Sequence, residues 1–166
     1  MLNVTFANDP ITLVGNEVKV GDTAPNFNVL SNDLEAVTLE SYEGKVKLII
    51  SVPSLDTGVC SEETLRFNKE AGSLDHVQVL TISMDLPFAQ TRWCGANGVE
   101  DLDTLSDHRN ADFGNNYGVL IEELRLLTRA VFVVDSNNKV TYVEYVDEAT
   151  NHPNYDQALE AVKSAK

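Results

Sequence analysis

Cys60 ends the run Val52-Pro53-Ser54-Leu55-Asp56-Thr57-Gly58-Val59-Cys60, and a thiol in that setting is a candidate nucleophile. The preceding segment, Lys45 to Val52, reads KVKLIISV, a short apolar and β-branched run with the character of a buried strand. Pro53 stops such a ladder, because proline has no backbone N–H to donate. Ser61 to Ala71 reads SEETLRFNKEA, where charged and apolar residues mix as on a surface helix. Thr57 is a helix N-cap type and would place Cys60 in the first helical turn. A thiol there faces unpaired backbone N–H groups and the positive end of the helix dipole. Both favour the thiolate, which is the reactive form. A free cysteine taken alone is often an inert, buried hydrophobe. The order strand, proline, threonine, cysteine is what sets this one apart.

Ionisation needs more than the helix terminus. An ordinary thiol titrates near about 8.5, and Asp56, Glu62 and Glu63 lie close in sequence and oppose a second negative charge. A cation must come from elsewhere in the chain. Of the five arginines, Arg129 opens a buried-looking strand, where an unpaired charge is expensive. The second thiol, Cys94, follows Trp93 in a helix-like segment and lies 34 positions from Cys60, so the pair is no Cys-x-x-Cys site. His76, His108 and His152 share no ligand spacing with either cysteine, and each reads as a surface or loop residue. No metal and no cofactor is expected.

The elements that must position these residues follow from periodicity and turn signals. Residues 3–6 and 11–14 alternate around Asn8-Asp9-Pro10 and read as a hairpin. Gly21 to Pro25 is a loop leading into Phe27-Asn28-Val29-Leu30, a short strand is expected at 37–39, and the strand at 45–52 and the Cys60 helix follow. Val77 to Ser83 is a second buried strand. Pro87 begins a helix over 87–94 that breaks at Gly95 and Gly98. Asp112 to Tyr117 is a short helix, Ala130 to Asp135 and Val140 to Val146 a strand pair, and Asn154 to Lys166 a terminal helix. The alternation predicts an α/β layer fold with a mixed central sheet, in which sites lie at the carboxyl ends of strands.

Composition narrows the partners. A chain of 166 residues, 43% apolar and 23% charged, is expected to form a single domain over 1–166. Its net charge of −14 disfavours nucleic acid and anionic membranes. No apolar run reaches the roughly 20 residues of a membrane span, and MLNVTFANDP lacks the basic and apolar regions of a secretory signal. A cytoplasmic protein is expected, in which a disulfide would be catalytic or sensing rather than structural.

Pro53, Thr57 and Cys60 match the peroxiredoxin pattern of proline, three residues, threonine, two residues, cysteine. The wider chain resembles one subgroup, the bacterial thiol peroxidases of the atypical two-cysteine type. Val4-Thr5-Phe6 with Asn8-Asp9-Pro10 is similar to their opening hairpin. Asp85 to Gln90 with Arg92-Trp93-Cys94-Gly95 is similar to their resolving-cysteine segment, and Thr128-Arg129-Ala130-Val131 to their active-site arginine. Gly58 departs from many other peroxiredoxins but removes no reacting group. The resemblance implies a thioredoxin-like fold with an added N-terminal β-hairpin. It implies that Cys60 is the peroxidatic nucleophile and that Arg129 and Thr57 hydrogen-bond at the same centre. Pro53 would shield the sulfur from water, and Cys94 would resolve the sulfenic acid as an intrachain disulfide. Hydroperoxide substrates, reduction by thioredoxin and a homodimer are implied as well.

Two rival readings make different demands. Cys60 and Arg66 have the Cys-x5-Arg spacing of cysteine-dependent phosphatases, but Ser61-Glu62-Glu63-Thr64-Leu65 holds two carboxylates and no glycine, a poor cradle for a dianion. A redox sensor or binding module could use the same two thiols without turnover. Catalytic recycling by a reductant separates that reading from an enzyme.

Overall fold

The computed structural model describes residues 2–99 and 102–166. In chain order its elements are strands β1 (Val4–Phe6), β2 (Asp9–Ile11), β3 (Leu13–Val14), β4 (Asn28–Leu30) and β5 (Ala36–Thr38), then a 3-10 turn (Leu39–Tyr42) and β6 (Val46–Ser51). Helix α1 (Gly58–Ala71), β7 (Val77–Ser83), α2 (Pro87–Asn97), β8 (Asp103–Ser106) and α3 (Asp112–Asn116) follow. The chain continues through β9 (Leu120–Ile121), β10 (Leu126–Leu127), β11 (Ala130–Val134), β12 (Val140–Tyr145) and α4 (Tyr155–Ser164).

Seven strands form the central sheet in the order β12-β11-β6-β7-β8-β4-β5. The β6–β7 and β7–β8 pairs are parallel, and the β11–β6 and β11–β12 pairs antiparallel. This is the mixed sheet the alternation predicts. Period-two alternation splits its core between two faces. Val131 and Val133 join Val46, Leu48, Ile50 and Val52 on the face covered by α1, α2 and α4. Ala130, Phe132 and Val134 join Ile49 and Ile82 on the face covered by α3. On that second face Phe113 stacks on Tyr117 at 4.5 Å, and Phe132 meets Tyr117 edge-on at 5.1 Å. On the first, Phe67 packs on Tyr155 at 5.2 Å and clamps α1 to α4. Each such fully buried side chain contributes roughly 1.5–3 kcal/mol.

Several boundaries differ from the expectations, each for a local reason. The hairpin is tighter than periodicity suggests. Ala7 and Asn8 both have positive φ, 51° and 72°, and form a two-residue turn that pairs Phe6 with Asp9. Pro10 therefore lies inside β2, tolerated because this two-stranded sheet has open edges. Leu13 and Val14 leave the hairpin and pair with β9 instead. Helix α2 runs straight through Gly95 and ends where Gly98 adopts φ +64°. Strand β8 has no counterpart among the expected elements: Asp103-Thr104-Leu105-Ser106 carries no β-branched apolar run, and parallel pairing with β7 makes it a strand. Leu39 begins the 3-10 turn rather than ending β5. The terminal helix starts at Tyr155, capped by the Asn154 side chain accepting from the Gln157 N–H.

Candidate active site

The Cys60 loop leaves the carboxyl end of β6 and is pinned to the end of β7 by one carboxylate. Asp85 accepts from the Ser54 hydroxyl at 2.7 Å and from the Leu55 N–H at 2.8 Å, and is itself held by the Ser83 hydroxyl at 2.8 Å. Pro53 is buried at the start of this loop. Thr57 is the N-cap residue of α1, with extended backbone, but its side chain does not cap. Its hydroxyl donates to the Ser54 carbonyl at 3.0 Å. With that proton committed, the Thr57 oxygen is left as an acceptor toward the adjoining cavity. Helix α1 then places the Cys60 sulfur beneath the surface, fully buried.

Arg129 reaches the same point from the opposite direction. It lies just before β11, and the Ser51 hydroxyl fixes the chain there by donating to the Thr128 carbonyl at 2.8 Å. Arg129 is 1% exposed and spends three donors on two parts of the chain, helix α1 and the loop at Ala149. Nη2 donates to the Cys60 sulfur at 3.1 Å, Nη1 to Glu63 Oε1 at 2.5 Å and Nε to the Ala149 carbonyl at 2.9 Å. Burial disfavours its charge, but Glu63 and Cys60 beside it outweigh that and hold its proton more tightly than usual. A cavity of about 120 Å³ opens beside it, walled by Phe6, Pro53, Thr57, Val59, Arg129 and Ala149. Arg129 therefore touches both this cavity and the sulfur. A larger cavity of about 510 Å³ lies along the N-terminal strands, but no cysteine and no basic side chain lines it. Among the described residues no three His, Cys, Asp or Glu side chains gather as a cation site.

Glu63 is the group sequence reasoning misjudged. Counted along the chain it only opposes a thiolate at Cys60. In the fold it is fully buried one helical turn on, and it anchors the guanidinium that serves the sulfur. Its position three residues after Cys60, on the same helix face, was a usable signal. Burial pushes its carboxyl up to about 8 against the pull of Arg129, and its Oε2 has no hydrogen-bond partner among the described residues. Because the folded value lies above the unfolded one near 4.5, this group's stabilising contribution is complete below about 4.5 and is lost as pH rises through about 8. Glu63→Gln is expected to flatten that decline in urea midpoints measured from pH 5 to pH 8.5 and to keep Arg129 oriented. Glu63→Ala leaves the guanidinium held through Ala149 without its second anchor and should slow peroxide attack at least fivefold. Equal rates for Glu63→Ala and wild type would remove Glu63 from the site.

Cys94 occupies a separate niche on the same side of the sheet. Its sulfur is 3.4 Å from Thr104 Oγ1 and 4.0 Å from Asn32 Nδ2, and both cysteines are free thiols. Its neighbour Trp93 is nearly buried, and its indole N–H donates to the Ser61 hydroxyl at 3.1 Å. That bond ties α2 to the residue following Cys60. Arg66 is not at this site: it pairs with Glu70 at 3.2 Å and lies over the Tyr155 ring at 4.1 Å. The Cys-x5-Arg coincidence therefore has no structural counterpart.

The redoxin family model matches residues 19–159. The chain belongs to the redoxin family. Within it the resemblance is to thiol peroxidases. The chain is 68% identical to the thiol peroxidase of Oceanobacillus iheyensis, over 96% of this chain and 97% of that protein. It is 64% identical to the thiol peroxidase of Halalkalibacterium halodurans, over 99% of each. The crystal structure of a peroxiredoxin-like protein from Aquifex aeolicus superimposes with a TM-score of 0.91 at 43% identity, covering 98% of this chain and 96% of that one. This redoxin is thus a peroxidase that reduces peroxides through a thiol, and the thioredoxin-like mixed sheet is the frame of its family. No helix among its described residues is long and apolar enough to cross a membrane.

Proposed function

We propose that Cys60 is the peroxidatic thiol of this redoxin, that Arg129 and Thr57 hold the peroxide against it, and that Cys94 resolves the product. The single observation that carries this reading is the buried guanidinium donating to the Cys60 sulfur while lining a cavity. The thiolate attacks one oxygen of the O–O bond. The S–O bond forms, the O–O bond breaks, and the departing alkoxide or hydroxide takes a proton and leaves as alcohol or water. Arg129 stabilises the charge that grows on that oxygen. Thr57, which can only accept, fixes the O–H of the peroxide. Pro53 keeps water from the sulfur. The Cys94 thiolate then attacks the sulfur of the sulfenic acid, releasing water and leaving an intrachain disulfide. A dithiol protein of the thioredoxin type supplies the two electrons and two protons that restore both thiols.

The whole of 1–166 works as one domain in this scheme, in a cytoplasmic homodimer. A disulfide needs Cα atoms within about 7 Å, and each sulfur here has its own partners, Arg129 for Cys60 and Thr104 with Asn32 for Cys94. The first turn of α1 and the 87–98 segment are expected to rearrange when the disulfide forms. In a coupled assay the wild type is expected to turn over hydrogen peroxide and organic hydroperoxides with thioredoxin, its reductase and NADPH. Trp93 fluorescence and amide exchange in both segments should change on oxidation. Turnover without an intrachain Cys60–Cys94 bond by mass spectrometry would refute the resolving assignment.

A further inference from the structure

The carboxylate of Glu148 joins two pieces of chain that the central sheet does not connect. It accepts from the Thr5 hydroxyl and the Asn8 N–H on Oε1, both at 2.7 Å. On Oε2 it accepts from the Ala7 N–H at 3.1 Å and from the Thr150 N–H and hydroxyl at 2.7 and 2.5 Å. Desolvation would raise its pKa, yet the bonds from Thr150, Asn8 and Thr5 hold it down near 2, so the clasp is charged throughout the neutral range.

The two sides of this clasp differ in how firmly they are held. The loop carrying Glu148 is fastened to the reaction centre: the Val146 N–H donates to the Arg129 carbonyl at 3.0 Å, and the Ala149 carbonyl receives Arg129 Nε at 2.9 Å. The hairpin β1–β2 forms a separate two-stranded sheet outside the central one, and isolated hairpins are marginal in water. Its turn residues Ala7 and Asn8 sit in the left-handed region, which alanine disfavours. Beyond the carboxylate, two backbone bonds seat it on the loop: the Thr5 N–H donates to the Asp147 carbonyl and the Ala149 N–H to the Thr5 carbonyl, both at 2.8 Å. Phe6, between Thr5 and the turn, is the hairpin's contribution to the cavity beside Arg129.

We infer that Glu148 is a positioning residue for substrate choice: it clasps the N-terminal hairpin onto the Arg129 loop and so fixes Phe6 as the apolar wall that receives the organic group of a hydroperoxide. The inference rests on the reading of that cavity as the peroxide site. The hydroperoxyl end of any substrate meets Arg129 and Thr57, which Glu148 does not touch. Only the carbon-bearing end meets Phe6. Loss of the clasp should therefore penalise bulky hydroperoxides and spare hydrogen peroxide, which has no such end.

The test compares second-order constants for a single oxidation of Cys60 by cumene hydroperoxide and by hydrogen peroxide. Peroxide consumption is followed in the full chain without recycling reductant. Glu148→Ala is expected to lower the cumene hydroperoxide constant at least tenfold and the hydrogen peroxide constant less than threefold. Glu148→Gln, which keeps one acceptor oxygen, should fall between. Thr5→Val, which removes a single donor, should shift the ratio in the same direction and serves if Glu148→Ala does not fold. Phe6→Ala should reproduce the selectivity loss with Glu148 intact. If Phe6→Ala shifts the ratio while Glu148→Gln and Thr5→Val leave it within twofold, the carboxylate is merely structural and the inference is overturned. If Phe6→Ala also leaves the ratio unchanged, the cavity is not the substrate site, and that reading fails together with the inference. An equal loss of both constants in the Glu148 variants likewise overturns a role in substrate choice.

Discussion

Cys60→Ser is expected to abolish peroxide consumption, whereas Cys94→Ser consumes one equivalent and then stops. The two thiols are chemically alike, and the fold makes them different. The buried Cys60 sulfur accepts a hydrogen bond from the Arg129 guanidinium at 3.1 Å. Among the described residues, the hydrogen-bonding partners of the Cys94 sulfur are neutral, Thr104 and Asn32. Charge-assisted hydrogen bonds are about twice as strong as neutral ones, so only Cys60 has a partner suited to a thiolate and to a developing oxyanion. Cys94→Ser leaves that partnership intact and removes only the group that takes the sulfenic acid onward. Its first turnover should match wild type within about threefold, and its steady-state rate with thioredoxin should fall to background. Titration of peroxide consumed per subunit separates the cases: near one for Cys94→Ser, near zero for Cys60→Ser. A full equivalent consumed by Cys60→Ser would reverse the assignment.

Arg129→Gln is expected to slow peroxide attack at least tenfold and to reduce the thiolate present at neutral pH. Tenfold corresponds to about 1.4 kcal/mol, and removing one preorganised donor from a developing oxyanion typically costs about 2.7–4 kcal/mol. The helix terminus supplies only about 0.3–1 kcal/mol per charge, so α1 alone cannot make up the loss. Two effects are mixed in this variant, and pH separates them. Thiolate absorbance reports ionisation, while the rate at a pH where both proteins are fully ionised reports transition-state stabilisation. A rate restored to wild type at high pH would mean that Arg129 only promotes ionisation. Unchanged ionisation and rate together would make it a structural residue. Arg129→Lys keeps the charge but cannot reach Cys60, Glu63 and Ala149 at once with a planar fork, and it should recover less than half of the lost free energy. Arg66→Gln, on the solvent side of α1 with Glu70, should change neither quantity.

The elements that carry the site were legible in the residues. The run KVKLIISV is long, β-branched and stopped by proline, so β6 and the point where the site begins could be placed. Thr57 marked the start of α1 and hence the depth of Cys60 in the first turn. The Pro-Thr-Cys spacing carried the family resemblance, and a thiol with three carboxylates close in sequence called for a cation; the choice of Arg129 came from that resemblance. The strand, the proline stop and the cap are local signals, fixed by neighbours in sequence.

What the tertiary structure decided are the pairings between distant segments. Glu63 changed from an opponent of the thiolate into the anchor of its cation, because helical geometry turned it inward toward a strand 66 positions away. Asp85 became the pin of the Cys60 loop because β6 and β7 lie side by side in parallel. Strand β8 exists only through its pairing with β7, since its own residues carry no strand signal. Glu148 acquired its clasp from a hairpin 140 residues earlier in the chain. The hydroxyl of Thr57 turned from the helix N–H groups to the Ser54 carbonyl once the loop was folded back. Sequence periodicity reports which face of an element is apolar. Which carboxylate meets which donor is set only when the faces close and each buried polar group must find a partner or be left unpaired.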